Sequence, residues 1–300
     1  MTPTVHLRSL RPDEGEAAHA LWARSAPLDA VPRSVLDETL WGEPAGAALA
    51  AEVDGEVVGL GAGALWPVAG AVRGSVRALA VAPEHRRRGV GTALLDALEA
   101  DLRQRGAGVA RLVEAAPNYL TPGVDVRNGG ALAFAEAHGY RTIGESVNLG
   151  VDLGADDWRT GADEARLADA GVAVRRASPA DRPALGRLLD AHWPAWQAEA
   201  DVALARRPPT LHLALRDGAV LGFAAHSANN AALGWFGPMG TAPEARGLGV
   251  GAVLLRRCLR DLCDAGLGRA TIAWAAALPF YERAAGATVE RRFRRFEKAL

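Results

Sequence analysis

Lysine is almost absent from this chain: Lys298 is the only one among 34 lysines and arginines in 300 residues. Arginine so dominates the cations that an arginine cluster by itself identifies no partner. Cysteine is scarce too. Cys258 and Cys263 are the only two, at a spacing that matches neither a zinc knuckle nor a redox pair, and both fall in an apolar helical pattern. Buried thiols are expected there, and no metal. There is no excess charge of either sign. The formal net charge of -1 gives no global reason to expect nucleic acid or an anionic membrane as partner. A long apolar run is also missing. The stretch Ala219 to Pro243 carries no Asp, Glu, Lys or Arg, but Asn229-Asn230 marks a hairpin turn within it and Gly and Pro punctuate it, so it is not expected to span a membrane. Arg8, Arg11 and Asp13 interrupt the first residues before any apolar run, so no signal peptide is expected, and a cytoplasmic location is.

What is present is ordinary globular composition, 49% hydrophobic and 23% charged, with enough length for two domains. The informative feature occurs twice. Ser75 to Leu95 reads SVRALAVAPEHRRRGVGTALL, and Trp235 to Leu255 reads WFGPMGTAPEARGLGVGAVLL, with Arg86 and Arg246, and Gly91 and Gly251, each 160 residues apart. Each copy has the form of a strand, a Pro-Glu turn, a glycine-punctuated loop and a helix. Glycine lets backbone approach a ligand closely, and the first N–H groups of a helix lack intrahelical partners, so such a loop suits an anion.

The rest of the chain follows the same plan twice. Val5 to Leu10 alternates as a strand, and Arg11-Pro12-Asp13 opens a helix. Ala47 to Val53 and Val57 to Leu65 form a hairpin across Asp54-Gly55. The helix after the first loop places Val90, Leu94, Leu95, Leu98 and Leu102 on one face. Val109 to Glu114 is a further strand, Ala131 to His138 a short helix ending at Gly139, and Tyr140 to Leu149 a returning strand pair. In the second half, Ser178-Pro179-Ala180-Asp181 echoes the opening, Leu211 to Leu215 and Val220 to Ala225 repeat the hairpin across Asp217-Gly218, and Ala270 to Trp274 precedes a helix with Phe280 and Tyr281 and a strand near Thr288. The expected organisation is an N-terminal domain over 1–153, a polar linker over 154–170 and a C-terminal domain over 171–300.

These residues resemble the GNAT superfamily of N-acetyltransferases, whose main motif is Gln or Arg, two residues, Gly, one residue, then Gly or Ala. It stands here as Arg86-Arg87-Arg88-Gly89-Val90-Gly91 and as Arg246-Gly247-Leu248-Gly249-Val250-Gly251. Its place after a Val-Ala-Pro-Glu or Thr-Ala-Pro-Glu strand end, and before an amphipathic helix, strengthens the likeness. The resemblance covers essentially the whole chain and implies an α/β fold of two tandem GNAT-like domains, each a mixed twisted sheet flanked by helices.

The resemblance also implies acetyl-CoA as co-substrate and an amine as acceptor. Loop amides from Arg86 to Thr92, and from Arg246 to Gly251, would hold the pyrophosphate. Backbone at Leu79 and Val81, and at Met239 and Thr241, would pair with the pantetheine arm, a strand addition to a ligand. A second family motif places Asn, then Ala, then an apolar residue and Tyr on the later helix. The first copy keeps Asn128 but has Ala135 in the tyrosine position; the second has Trp274 in the asparagine position but keeps Tyr281. Asn128 also suits a helix N-cap, and Tyr281 an aromatic packed beside Phe280.

Acetyl transfer to an amine needs a neutral nucleophile, a polarised carbonyl and a protonated leaving thiolate. A lysine-like amine is neutral in only roughly one part in a thousand at pH 7, which withholds roughly 4 kcal/mol without help. His226 or Glu114 could relieve this directly or through water. Strand N–H groups at Val81 and Thr241 could polarise the carbonyl, and Tyr281 could protonate the thiolate. The C-terminal domain is therefore expected to carry the chemistry. The other reading is a non-catalytic acyl-CoA-binding sensor or interaction module. Assembly is expected as a monomer with intramolecular domain pairing or as a homodimer. The run Arg291 to Arg295 reads as a strand with Phe293 and Phe296 on a buried side, rather than as a nucleic-acid patch.

Overall fold

The computed structural model describes residues 4–68, 71–117 and 119–300. The chain forms two compact units, Met1–Ser146 with Arg292–Leu300, and Val147–Arg291. In chain order the first holds β1 (His6–Ser9), α1 (Gly15–Ser25), α2 (Arg33–Trp41), β2 (Gly46–Val53), β3 (Glu56–Val68), β4 (Ala71–Val81), α3 (Val90–Gln104), β5 (Val109–Leu112), β6 (Val124–Asp125), α4 (Gly129–Ala137) and the start of β7 (Arg141–Asp152). The second holds the rest of β7, then α5 (Gly161–Asp169), β8 (Ala173–Arg176), α6 (Arg182–His192), α7 (Gln197–Ala205), β9 (Leu211–Arg216), β10 (Ala219–His226), β11 (Trp235–Thr241), α8 (Val250–Asp264), β12 (Arg269–Ile272), α9 (Leu278–Ala285) and the start of β13 (Thr288–Ala299).

Both units are mixed α/β. In the first, β1, β2, β3 and β4 pair in turn as antiparallel neighbours, β5 joins β4 in parallel, and the end of β13 closes against β5 and β6. In the second, β8, β9, β10 and β11 pair antiparallel, β12 joins β11 in parallel, and the end of β7 closes against β12. The first unit is thus closed by the last residues of the chain, and the second by the residues that open it. Leu149–Asp152 pair with Arg269–Ile272, and Glu297–Ala299 with Val109–Arg111.

Local chemistry sets the frame. The turn residues Asp54-Gly55 and Asp217-Gly218 all have positive φ, as two-residue hairpins with type I′ turns require. Helix α3 buries Val90, Leu94, Leu95, Leu98 and Leu102 against a stripe of small residues on β3. A Cβ on Gly59 would lie 3.0 Å from Leu94 and one on Gly61 3.0 Å from Leu98, so the glycines bring the helix close to the sheet. The stretch expected as a linker is folded instead: it carries α5, and Trp158 and Leu167 lie in the second unit's core. Trp158 supplies the apolar area that a bare polar connection would lack, and Arg256 stacks over its ring at 5.3 Å.

The arginine run behaves as its pattern implies. Phe293 and Phe296 are fully buried in β13, while Arg294 pairs with Glu136 at 3.1 Å and Arg295 with Glu114 at 2.7 Å. Cys258 is buried, its thiol pushed well up by desolvation, and Cys263 is half-buried beside the same core. Among the described residues no helix is long and apolar enough to cross a membrane, and no group of His, Cys, Asp and Glu is placed to hold a metal ion.

Candidate functional site

In both units the parallel strand pair parts soon after it forms. β4 pairs with β5 only from Gly74 to Val76, although β4 continues to Val81. β11 pairs with β12 only at Trp235 and Phe236, although it continues to Thr241. The far sides of β4 and β11 stay paired apart from one bulge in each, so one edge of each strand is left uncovered beyond the parting. The Ala82 N–H donates to Val58 O at 2.8 Å, toward β3. Backbone direction alternates along a strand, so the Leu79 and Val81 amides face the other way, into the gap. Ala242 N–H donates to Leu221 O at 2.8 Å, which aims the Met239 and Thr241 amides into the second gap by the same reasoning.

Each loop then turns the chain into a helix through a left-handed glycine, Gly89 with φ 85° before α3 and Gly249 with φ 88° before α8. A Cβ would be strained there, and none shields the helix-opening amides of Val90 and Gly91, or Val250 and Gly251. Gly91 and Gly251 serve packing as well. A Cβ on Gly91 would lie 3.3 Å from the Phe134 ring and 3.6 Å from Val81, and one on Gly251 3.4 Å from Phe280, 3.4 Å from Thr241 and 3.5 Å from Met239. The motif loop, the parting strand and the later helix therefore meet at one glycine in each unit.

The arginines divide their work. Arg86 ties the first loop to the fold, its Nε donating to Val81 O at 3.1 Å and its Nη2 to Ser25 O at 2.7 Å. Arg87 and Arg88 are exposed and make no hydrogen bond or ion pair among the described residues, and Arg246 is likewise unengaged. Thr92 Oγ1 lies 2.9 Å from His138 Nε2. In the second unit a cation that the motif does not announce reaches the loop. Arg166 of α5 donates to Leu248 O at 2.9 Å, and its Nη2 would lie 2.7 Å from a Cβ on Gly249.

The residues considered for proton transfer separate. Asn128 caps α4, its Oδ1 accepting from the Ala131 N–H at 3.1 Å. In the second unit the Asn148 side chain, from β7, accepts from the Trp274 N–H at 3.0 Å. Tyr281 packs edge-on against Phe280 and Phe236, with ring centroids 5.1 and 6.3 Å away, and desolvation pushes its phenol up to about 12. His226 is opposite Phe236 in the β10–β11 register. Its Nε2 lies 3.2 Å from Asp261 Oδ2 and its Nδ1 3.1 Å from Ser227 Oγ. Burial alone would raise the Asp261 carboxyl, yet hydrogen bonds from His212, His226 and Arg176 hold it well below the usual carboxylate range. Glu114 is fully buried and held by Arg111 and Arg295, each at 2.7 Å. One buried acid has no motif to announce it: Glu199 of α7, which accepts from the Asn229 amide and is pushed up to about 7 by desolvation.

Comparison with known proteins agrees with this geometry. The Acetyltransferase (GNAT) family model matches residues 14–140 and 177–287. A search of the curated proteins found no match. Among solved structures, the chain is similar to the GCN5-related glucosamine N-acetyltransferase region of a fungal multi-domain GH3 beta-N-acetylglucosaminidase, with TM-score 0.86 and 21% identity, covering 99% of this chain and 38% of that one. The chain thus spans well under half of that larger protein. It also resembles a GCN5-related N-acetyltransferase from Sphaerobacter thermophilus, with TM-score 0.71, 19% identity and 98% and 95% of the two chains covered. A tandem GNAT protein from the clavulanic acid biosynthesis pathway aligns with TM-score 0.69 and 20% identity over 99% and 98% of the two chains. At these identities the structures speak for the fold, and the two-part family match decides membership: this chain belongs to the GNAT acetyltransferase family, in its tandem form.

Proposed function

We propose that this chain is an acetyl-CoA-dependent N-acetyltransferase that moves an acetyl group to a primary amine of a small molecule or peptide. The observation that carries the proposal is the parting of β4 from β5, and of β11 from β12, directly before a glycine loop and a helix N-terminus. Acetyl-CoA brings the acetyl group as a thioester. The amides at Leu79 and Val81, and at Met239 and Thr241, offer strand pairing to its amide-bearing arm. The loop amides from Arg86 to Thr92 and from Arg246 to Gly251 offer their donors to its diphosphate. Arg87, Arg88 and Arg246 add unengaged cations, and charge-assisted contacts are the strong ones.

The second unit carries the chemistry in this proposal. Burial keeps the Tyr281 phenol protonated near neutral pH, the state required to give a proton to the departing thiolate. His226 acts as the base. In the tautomer whose Nε2–H donates to Asp261, Nδ1 is left to accept a proton by way of the Ser227 hydroxyl. The Thr241 N–H polarises the carbonyl. The first unit contributes acyl-CoA binding, with Asn128 holding the end of α4 near its loop. The test is thiol release from acetyl-CoA across a panel of primary amines. Turnover on any amine supports the proposal, whereas saturable binding with no release on every amine would make the chain a non-catalytic sensor.

A further inference from the structure

Arg77 heads the fully buried side chains by volume, at 1% exposure. It stands in β4 directly after Val76, the last residue paired to β5. The register with β3 shifts there, since Ala62 faces Ala78 and Gly63 faces Val76, so Arg77 is the extra residue of a bulge at the point where the strands part. Its Nη1 donates to Gly42 O at 3.0 Å, just past the end of α2, which puts the guanidinium on the helix α2 side. Its Nε and Nη2 are buried with no hydrogen-bond partner, and so is Ser75 Oγ two residues earlier. Desolvation pulls the guanidinium down to about 10 while the Glu43 charge opposes this, so Arg77 remains a cation at neutral pH. A buried cation with two nitrogens unbonded is costly unless something completes it. The corresponding bulge in the second unit holds Gly237-Pro238 and no cation.

We propose that Arg77 receives the carboxylate of a small acid, an amino-acid-like molecule that the first unit binds beside acyl-CoA. The guanidinium fork matches a carboxylate in geometry, and the two unbonded nitrogens are the donors such a group would take. This rests on the reading that the gap beside Arg77 receives acyl-CoA.

The experiment uses the intact chain and two variants, Arg77→Met and Arg77→Lys, with N-acetylalanine and its neutral amide as probes in thermal melts. Calorimetry with acetyl-CoA is run separately. The expected result is a rise of about 2–4 °C in wild-type melting temperature with saturating N-acetylalanine and none with the amide. The response should be partly retained in Arg77→Lys and lost in Arg77→Met. Arg77→Met should itself melt no lower than wild type without ligand, because a buried cation with two unbonded nitrogens has gone. Equal responses to the acid and the amide, or a marked loss of ligand-free stability in Arg77→Met, would make Arg77 a structural cation and overturn the proposal. Succinyl-CoA binding at least about tenfold tighter than acetyl-CoA to wild type but not to Arg77→Met would place the carboxylate on the acyl chain and overturn the assignment to a separate small acid. Acetyl-CoA that fails to bind the wild-type chain would instead count against the parent reading, whatever the acid probe does.

Discussion

The Phe134 ring lies against Gly91, 3.3 Å from where a Cβ would stand, and Phe280 lies against Gly251 at 3.4 Å in the same way. The last glycine of each motif is thus the seat of an aromatic from the later helix. Gly91→Val and Gly251→Val are expected to lower stability by about 1–3 kcal/mol each through overpacking, read from urea denaturation midpoints. Unchanged midpoints in both would show that the rings do not rest on these glycines.

Arg87 and Gly247 hold matching loop positions, and both are left-handed, with φ 61° and 83°. An L side chain is disfavoured there by roughly 1–2 kcal/mol. Gly247→Ala should therefore destabilise by about 1 kcal/mol, while Arg87→Gly should be neutral or stabilising, its relief of strain partly offset by the entropy of a glycine. A stabilised Gly247→Ala would contradict the loop conformation.

Glu199 sets a pH dependence. Desolvation pushes its carboxyl up to about 7 against an ordinary value of 4.5, with the Asn229 hydrogen bond acting in the opposite direction. The folded chain therefore holds a proton that the unfolded chain releases earlier as pH rises. The contribution is full below 4.5 and is lost as pH climbs through about 7. Glu199→Gln keeps the carbonyl that accepts from Asn229, and should raise the melting temperature at about pH 8 while leaving it little changed at about pH 4. Equal shifts at both pH values would contradict this assignment.

Tyr281→Phe tests the proposed proton donor. Turnover should fall by about 10²-fold or more, with acetyl-CoA affinity unchanged. Full turnover in Tyr281→Phe together with altered turnover in Ala135→Tyr would move the chemistry to the first unit.

Much of this was legible in the residues. The doubled glycine loop, the Asp-Gly hairpins and the alternation of Phe293 and Phe296 each follow from local sequence, because backbone conformation and strand periodicity are local properties. The closing strands were not legible in the same way. Leu149–Asp152 and Glu297–Ala299 are strand-like, but their partners lie more than a hundred residues away, and periodicity does not name a partner. Helix α5 looks like a polar connection in sequence because its buried contribution rests on Leu167, with Trp158 just ahead of it. The charges of the site were hidden for a related reason. Arg77 looks like any arginine in an arginine-rich chain until its burial is seen, Arg166 reaches its loop from a distant helix, and Glu199 is unusual only in its surroundings. Conversely Arg86, which belongs to the motif, proves to be anchored to Val81 and Ser25.

Calorimetric titration of acetyl-CoA into the intact chain bears most directly on the claim that the glycine loops and parted strands form acyl-CoA sites. Saturable binding is expected in the wild type, weakened by about tenfold or more when Arg88→Glu and Arg246→Glu are combined. An absence of binding, or an affinity indifferent to both charge reversals, would contradict it.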